Sequence, residues 1–585
     1  MKTTMAAVLA AAGISLLAAT NTPAVASQVR PTVLGRAAAS QPVHFTVHLP
    51  LRNEPQLDAL LAAQATMGSP LYHHFLTPAQ FAAAYGPTRA QVASAASILR
   101  SAGFAVSESP HGLDAVGSAA RISATFNAQV NNVRTREGRI VPALAGHPTL
   151  PAALRSMGAV VPAFAGVSRV ETFSETTRNT LPNNRYSAYG PYWFDDIKEA
   201  YQFPSALVLN GRGRTVATVI SSDFSDADLS QYLSHEKLPV PKTARRIVDG
   251  GSPFNPNSGA SFEADLDIQQ MAGMAPGATI VDYEIPDLST QSIYDAYSAV
   301  VKDNKADVVS SSFGGCELYF TPAYNGGQDF TYIIKAYDQL FKQGNAQGIT
   351  FTASSGDRGN YECLDPTGTY YVRGTQFPAD SPHVTAVGGT NLISEYSPPV
   401  GGKRNLDSGY IRESENADYR TGGRNSIWGS GGGESIIFPR PSFQNGIGYT
   451  YAGRGVPDLS LQMGGCPGDA TYCSPDDSAS VEAFAGTLVG VIGTSISSPD
   501  FAGLLGLKIQ RDGRLGNVNP ESYRIARLGT YKGSHFYHNN IPGNNGFKST
   551  PGYNLVVGNG SVIGRNYIEQ FDVPLAGDPQ TPTNP

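Results

Sequence analysis

One serine stands where a nucleophile could be held. Ser495 lies in a glycine-rich turn, residues 493–499, between an apolar run at 488–492 and a second apolar stretch at 501–507. A serine at a turn that opens a buried helix faces backbone N–H groups and the positive end of the helix dipole, which favour a developing anion. Serine is also a common N-cap, so the position alone does not establish catalysis. A nucleophilic serine needs a base.

Histidine is the usual base, but the histidines of this chain offer little. Six of the ten lie at or before residue 147, and the other four are His235, His383, His535 and His538. None of these four stands in a glycine-rich motif at a strand end that would present it to Ser495, although residues far apart in the chain can meet in the fold.

Two carboxyl groups provide an alternative base. Glu263 and Asp267 are one turn apart on a predicted helix, residues 259–271, and share one face of it. A solvated acidic face is the simpler interpretation, and two ionised groups at this spacing oppose helix formation. Apolar residues at 264, 266, 268 and 271 instead indicate a buried helix. Two close carboxyl groups in such a helix tend to share a proton.

A third acid follows an apolar strand. The stretch from Phe351 passes through Ser355 and Gly356 to Asp357, so it delivers a carboxyl group into a glycine turn. At the carboxyl edge of a parallel sheet this is where the sites of α/β folds gather. Aspartate in a glycine turn is more often only a turn residue.

Strands and helices alternate around these groups. The predicted strands are 215–220, 279–283, 307–312 and 350–353, and the predicted helices are 259–271, 291–301 and 332–342. This order predicts an α/β fold with a parallel sheet covered by helices on both faces. Ahead of it, a strand at 43–49 and helices near 57–63 and 90–102 indicate a small α+β domain.

The composition excludes several classes of protein. The 585 residues carry a net charge of −6 and only 15% are charged, which argues against a basic nucleic-acid face, a coiled coil or a charge-solvated disordered chain. Lys2, an apolar run at 6–19 and small residues at 24–26 predict a secretory signal peptide. The run is shorter than the roughly 20 residues of a membrane-spanning helix. We expect a secreted protein, extracellular or periplasmic.

Four cysteines in an exported chain predict disulfides rather than a zinc site or a thiol nucleophile. Local spacing favours the pairs Cys316–Cys363 and Cys466–Cys473, although four cysteines allow three connectivities.

The charge is divided unevenly along the chain. Residues 27–180 hold 12 arginines, no lysine and 7 acidic residues, a net charge of +5, whereas residues 181–585 carry −12. This division is either accidental or the sign of a cationic prosegment docked on an anionic enzyme and released in acid.

The motifs together resemble the sedolisin family, the serine-carboxyl peptidases with a subtilisin-like fold. The specific matches are Glu263-x-x-x-Asp267, Ser355-Gly356-Asp357 and Gly493-Thr494-Ser495-x-x-x-Pro499. The N-terminal region resembles the activation domain of that family, through residues 49–53 and 76–81. The resemblance predicts an activation prodomain at 27–165 and a catalytic domain at 191–572. Between them, residues 166–190 are rich in Ser, Thr, Asn and Arg with little apolar periodicity, which predicts an exposed linker with the processing site. The predicted signal peptide occupies 1–26, and a proline-rich tail is predicted at 573–585.

The resemblance also implies a role for each acid. Ser495 would attack the peptide carbonyl, Glu263 would take its proton, and Asp267 would orient Glu263. Asp357 would donate a hydrogen bond in the oxyanion hole, which requires it to stay protonated. A low pH optimum follows, because a carboxylate base has a reference pKa near 4.

Two departures from the family pattern limit the transfer. The family holds Ca²⁺ near the C-terminus, where this chain has Asn539, Asn540, Gly552 and Asn554. Asn539 and Asn554 replace two aspartates, so we expect no calcium or a weak site there, and no other cofactor. Some relatives also extend the carboxyl network with Glu and Trp, where this chain has Ile220 and Phe313. The outer hydrogen bonds of the network are therefore expected to be missing.

Two other functions compete with the peptidase. A secreted glycosidase could use Glu263 and Asp267 as its two carboxyl groups without any serine. A non-catalytic binding protein on a peptidase scaffold is the second. For the peptidase we expect protein or peptide substrates, the prodomain as an intramolecular inhibitor or chaperone, no nucleic acid or membrane partner, and a monomer.

Overall fold

A computed structural model describes most of the chain. The described residues are 32–135, 137–165, 170–176, 190–395, 409–416, 418–419, 427–465, 478–528, 530–531 and 534–571. The predicted signal peptide, the cysteines at 466 and 473, the greater part of the predicted linker and the C-terminal tail lie outside these ranges.

The N-terminal part consists of two small antiparallel sheets and short helices. The strands are β1 (Thr32–Arg36), β2 (Pro42–His48), β3 (Ala105–Ser109), β4 (Gly112–Ser118), β5 (Gln129–Arg134) and β6 (Ile140–Ala145). The helices are α1 (Glu54–Ala65), α2 (Pro78–Ala84), α3 (Arg89–Ser101), α4 (Ala119–Phe126) and α5 (Ala152–Ser156). The sheet orders are β2-β4-β3 and β1-β5-β6, so the predicted α+β domain is present.

The second part carries the larger sheet. Its helices are α6 (Phe194–Ala200), α7 (Asp226–Ser234), α8 (Gly259–Met274), α9 (Thr290–Asp303), α10 (Thr331–Ala346), α11 (Thr494–Asp512), α12 (Asn519–Leu528) and α13 (Gly564–Gln570). Its strands are β7 (Glu171–Thr172), β8 (Glu175–Thr176), β9 (Thr215–Ile220), β10 (Thr243–Arg245), β11 (Thr279–Glu284), β12 (Val308–Ser310), β13 (Phe313–Cys316), β14 (Thr350–Ser354), β15 (Cys363–Leu364), β16 (Tyr371–Val372), β17 (Gln376–Phe377), β18 (Thr385–Glu395), β19 (Gly409–Asn416), β20 (Asp418–Tyr419), β21 (Ile427–Trp428), β22 (Gly433–Pro439), β23 (Gly453–Val456), β24 (Leu459–Gln462), β25 (Ser480–Phe484), β26 (Thr487–Ile492), β27 (Thr530–Tyr531), β28 (Ser534–His535), β29 (Tyr537–His538), β30 (Gly543–Asn544) and β31 (Ser561–Val562).

The central sheet has the order β10-β11-β9-β12-β14-β18-β24-β31-β29 and is parallel from β10 to β31. Helices α8 and α11 pack against each other on this sheet, and α9 and α10 form a second helical pair on it. Parallel sheets need both faces covered, and the buried Val and Ile residues of β9 and β12 satisfy this. The α/β architecture with helices on both faces is therefore confirmed.

The prodomain packs on α9 and α10. Thr46 Oγ1 donates to Asp295 Oδ1 at 2.7 Å, and Lys342 Nζ pairs with Asp58 Oδ1 at 2.7 Å. In the second contact the cation belongs to the catalytic part and the anion to the prodomain. The net charges of the two parts have the opposite signs, positive for the prodomain and negative for the catalytic part. Net charge alone therefore does not explain the docking.

The disulfide between Cys316 and Cys363 is present, as the local spacing predicted. It joins the end of β13 to β15. No helix within the described ranges combines the length and the apolar character that a bilayer crossing requires.

Candidate active site

Helix α8 carries the two predicted carboxyl groups into the interior. Ser258 caps the helix, its side chain accepting from Ala260 N–H, and every residue from Ser261 to Met274 is buried. Glu263 and Asp267 are both 0% exposed. Burial and the Asp267 carboxyl raise the pKa of Glu263 well above its usual range, against hydrogen bonds from Ser174 and Ser495. The alternative of a solvated acidic face is therefore wrong.

Asp267 is held by two hydroxyl groups. Ser312 Oγ donates to Oδ1 and Thr218 Oγ1 donates to Oδ2, each at 2.5 Å. Burial raises the pKa of Asp267, while these two hydrogen bonds oppose the rise. Ile220 and Phe313 offer no side-chain donor to this network. Hydroxyl groups one or two residues away along the chain, on Thr218 and Ser312, hold Asp267 instead.

Ser495 occupies the second position of α11, as its sequence context predicted. Its side chain is 0% exposed, and its Oγ donates to Ser312 O at 3.3 Å. The Ser495 hydroxyl also acts on Glu263, where it opposes the rise in the pKa. The helix begins after Gly493, whose φ of 142° favours glycine. A Cβ at this position would collide with Phe173 O and lie 2.9 Å from Asp357 Oδ2, so both oxygens converge on the open side of Gly493.

Asp357 lies in the turn after β14 and is 5% exposed. Its Oδ1 accepts from the Thr494 N–H and from Thr494 Oγ1, both at 2.8 Å. Its Oδ2 is buried and has no hydrogen-bond partner among the described residues. Burial raises the pKa of Asp357 well above its usual range, with the two Thr494 hydrogen bonds opposing. A protonated Oδ2 would have a hydrogen to donate beside the backbone of Ser495.

Residues 170–176, which the sequence analysis placed in an exposed linker, run through this site. Strand β7 pairs with β13 and β8 pairs with β26, both antiparallel. Val170 and Phe173 are 3% and 4% exposed. The prediction of an exposed linker is wrong for this segment, because strand pairing to the catalytic part replaces the periodicity that the segment lacks.

The backbone of Phe173 is fixed on both sides. Its N–H donates to Ser312 O at 3.3 Å, and its carbonyl oxygen accepts from the Ser495 N–H at 3.1 Å. The next residue, Ser174, donates from Oγ to Glu263 Oε2 at 2.5 Å. The peptide bond between Phe173 and Ser174 therefore lies between the serine, its candidate base and the candidate oxyanion donors.

Three of the four histidines that follow residue 147 make contacts with other side chains. His235 stacks on Trp193 at 3.7 Å, His383 Nδ1 lies 2.8 Å from Asp338 Oδ1, and His538 stacks on Tyr410 at 3.7 Å. The side chain of His535 lies outside the described part. In the described part of the site, the ionisable side chain whose pKa the Ser495 hydroxyl affects is the carboxyl group of Glu263.

Known proteins share both parts of this architecture. Residues 31–163 match the family model described as the Pro-kumamolisin activation domain. Sedolisin from Pseudomonas sp. (strain 101) is 29% identical over 568 residues, covering 92% of this chain and 87% of that protein. A solved structure of Pseudomonas sedolisin, a serine-carboxyl proteinase complexed with two molecules of pseudo-iodotyrostatin, aligns with a TM-score of 0.53 at 25% identity, covering 64% of this chain and 96% of that one. Both parts of the chain are similar to the sedolisin family.

Kumamolisin from Bacillus sp. (strain MN-32) is a further relative, 29% identical over 415 residues that cover 67% of this chain and 65% of that protein. With these relatives, the chain is a serine-carboxyl peptidase precursor with an N-terminal activation domain. The relationship decides against the glycosidase and the non-catalytic binding protein.

The C-terminal loops do not fit the calcium site that the family implies. Asn554 is 7% exposed, and its Nδ2 donates to Thr550 O and Gly552 O at 2.8 and 3.2 Å. Its Oδ1 accepts from the N–H groups of Val556 and Val557. An amide that donates to backbone carbonyls competes with a cation for the same oxygens.

Proposed function

We propose that this chain is a secreted endopeptidase that acts in acid and processes its own precursor by cleaving the bond between Phe173 and Ser174. The single observation that carries the proposal is the hydrogen bond from the Ser495 N–H to the Phe173 carbonyl oxygen, 3.1 Å long, with Glu263 on the other side of the same peptide bond. The segment enters in an extended conformation antiparallel to β13, the arrangement expected of a bound peptide.

Acylation follows from these contacts. Ser495 Oγ forms a bond to the Phe173 carbonyl carbon while its proton passes to Glu263. The resulting oxyanion is held by the Ser495 N–H and by a hydrogen bond from protonated Asp357. When the C–N bond breaks, Glu263 returns the proton to the nitrogen of Ser174. Water then attacks the acyl-enzyme with Glu263 again as base and releases Ser495.

The charges of the site set the working pH. Glu263 and Asp267 are one turn apart in a buried helix, so the active form of the pair carries one negative charge. Two hydroxyl groups donate hydrogen bonds to Asp267 and hold it in place. Glu263 is therefore the member of the pair that exchanges a proton with Ser495. Asp357 must keep its proton at the same time. Acid keeps Asp357 protonated, and the hydroxyl donors on Glu263 and Asp267 oppose the rise in the pKa of the pair, which helps it to keep its one charge. A histidine base would become protonated in acid and fail.

The prodomain fits the role of an intramolecular inhibitor. It remains covalently joined to the segment in the cleft, and its surface packs on α9 and α10. While residues 170–176 occupy the cleft, an external peptide cannot pair with β13 or β26. Cleavage within the segment frees these strands for pairing, and we expect protein or peptide substrates to bind along them.

The processing experiment uses the full-length precursor. At acid pH the wild type should give a catalytic chain beginning at Ser174, identified by intact mass at the earliest time points, before any later trimming. Ser495→Ala should stay full length. A first cleavage product that begins elsewhere would contradict the assigned bond, and equal processing by Ser495→Ala would contradict the mechanism itself.

A further inference from the structure

A second group of carboxylates lies near the active site but takes no part in the chemistry above. Asp282 and Glu284 are two residues apart on β11, and Asp223 lies in the turn that follows β9. The register pairs Glu284 with Ile220, the last residue of β9, which brings that turn beside the end of β11. One carboxylate oxygen from each of the three residues lies within 4.8 Å of the other two.

Asp282 is the unusual member of this group. It is 0% exposed, and neither of its carboxylate oxygens has a hydrogen-bond partner within the described part of the chain. Burial, followed by the charges of Glu284 and Asp223, raises the pKa of Asp282. An ionised carboxylate without a partner is costly in the interior, so the site requires either a proton or a cation.

The nearest guanidinium does not supply that cation. Arg245 is opposite Asp282 in the register of β10 and β11, but its Nε binds Asp223 Oδ1 at 2.7 Å and its Nη1 binds Asp226 at 3.1 Å. Its Nη2 donates to the Phe224 carbonyl. The guanidinium is thus directed to the turn after β9 and leaves the oxygens of Asp282 unpaired.

The chemistry of the donors identifies the kind of ion. All three ligands are carboxylates, which suit hard cations, and the group offers no histidine or thiolate. The three carboxylates, Asp226 and Arg245 carry a formal charge of −3, most of which one divalent cation offsets. Oxygens within 4.8 Å of one another can lie around a Ca²⁺ ion, whose bonds are about 2.3–2.6 Å long.

We infer that Asp223, Asp282 and Glu284 form a Ca²⁺ site at the carboxyl end of β9 and β11. This site is separate from the C-terminal loops that contain Asn539 and Asn554. It would tie the turn after β9 to β11 and remove the cost of the buried Asp282 charge. Its position also places the ion near the catalytic pair, because Asp282 is opposite Thr218 in the register of β9 and β11, and Thr218 donates to Asp267.

The test measures calcium binding directly on the full-length Ser495→Ala precursor after treatment with a chelator. At pH 7 we expect binding at up to millimolar Ca²⁺, the range of extracellular calcium modules, together with a Ca²⁺-dependent rise in the melting temperature. Asp282→Asn, which removes the charge and keeps the shape, should weaken binding by about tenfold or more and abolish the Ca²⁺-dependent rise.

A matched control separates the site from its surroundings. Asp226→Asn removes another carboxylate that binds Arg245 but lies outside the group, and it should bind Ca²⁺ as the parent does. If Asp282→Asn does not fold, Asp223→Asn, whose side chain is 28% exposed, replaces it. The inference is overturned if the parent binds no Ca²⁺ at millimolar concentration. It is also overturned if the variant keeps both the affinity and the rise in melting temperature.

Discussion

The amide N–H of Ser495 donates a 3.1 Å hydrogen bond to the carbonyl oxygen of Phe173. This contact joins the start of α11 to a segment about 320 residues earlier in the chain, and it holds the carbonyl where an oxyanion would form. The Ser174 hydroxyl continues the same segment onto Glu263. The precursor therefore holds part of its own chain in the position of a substrate.

Asp357 provides the first prediction. Asp357→Ala removes the donor proposed for the oxyanion and should lower kcat by about 10²–10³-fold. Asp357→Asn keeps a neutral donor that never ionises, so it should retain more activity than Asp357→Ala. It should also move the alkaline limb of the pH profile to higher pH. Initial rates against pH on one peptide substrate measure both effects. A kcat of Asp357→Ala within threefold of the wild type would contradict the role of Asp357.

Gly314 provides a prediction about specificity. A Cβ at this position would lie 2.6 Å from the Phe173 Cζ atom, so the missing side chain makes room for the ring. Gly314→Ala should slow cleavage after phenylalanine and spare cleavage after alanine, measured as kcat/KM on a matched pair of peptides. Gly259→Ala, which meets open space, is the control. Equal losses on both peptides would instead indicate general damage to the fold.

How much of this site the sequence predicts depends on how far apart the contacting residues lie in the chain. The spacing of Glu263 and Asp267 and the turn before Ser495 are local patterns, so helix and turn geometry sufficed to place them. Thr218 and Ser312 were not predicted as partners of Asp267, because they lie 49 and 45 residues from it in the chain and meet it only in the folded structure. Phe173 was missed for the same reason, since its strand neighbours are distant in the sequence.

Two buried histidines in the prodomain predict how docking depends on pH. His48 binds the Tyr294 hydroxyl and Gln339 Oε1 of the catalytic part, and His111 binds Gln343 Oε1. Burial lowers the pKa of His48 to about 4 and that of His111 to about 3. The groups that hydrogen-bond to them are neutral, and the buried Nδ1 of His111 has no hydrogen-bond partner among the described residues.

The undocked histidines, with a reference pKa near 6.5, bind protons that the docked ones exclude. Docking is therefore unaffected above about pH 6.5 and weakens as the pH falls toward 4, by about 3 kcal/mol for His48. Hydrogen exchange of β2 in the Ser495→Ala precursor, followed from pH 7 to pH 4, should show this loss. His48→Gln should flatten the dependence, and His44→Gln, at a more exposed position, should not. A dependence unchanged in His48→Gln would contradict the explanation.

Glu482 predicts that the catalytic part is more stable in acid than at neutral pH. It lies on β25, is 0% exposed, and has no hydrogen-bond partner for either carboxylate oxygen within the described ranges. Burial, followed by the charge of Asp265, raises its pKa well above the usual range. A raised pKa in the folded state means that the protonated form contributes its full stability below the unfolded pKa. This contribution is lost as the pH rises toward the folded value.

Glu482→Gln is neutral at every pH, so it should leave the melting temperature at pH 4 nearly unchanged and raise it at pH 7. The gain at pH 7 is expected because glutamine has no carboxyl group whose ionisation is opposed by burial in the folded state. Thermal unfolding of the Ser495→Ala precursor with and without this substitution measures it, with self-digestion prevented in both chains. An equal loss at both pH values would show that the carboxyl group holds a specific contact rather than an uncompensated charge.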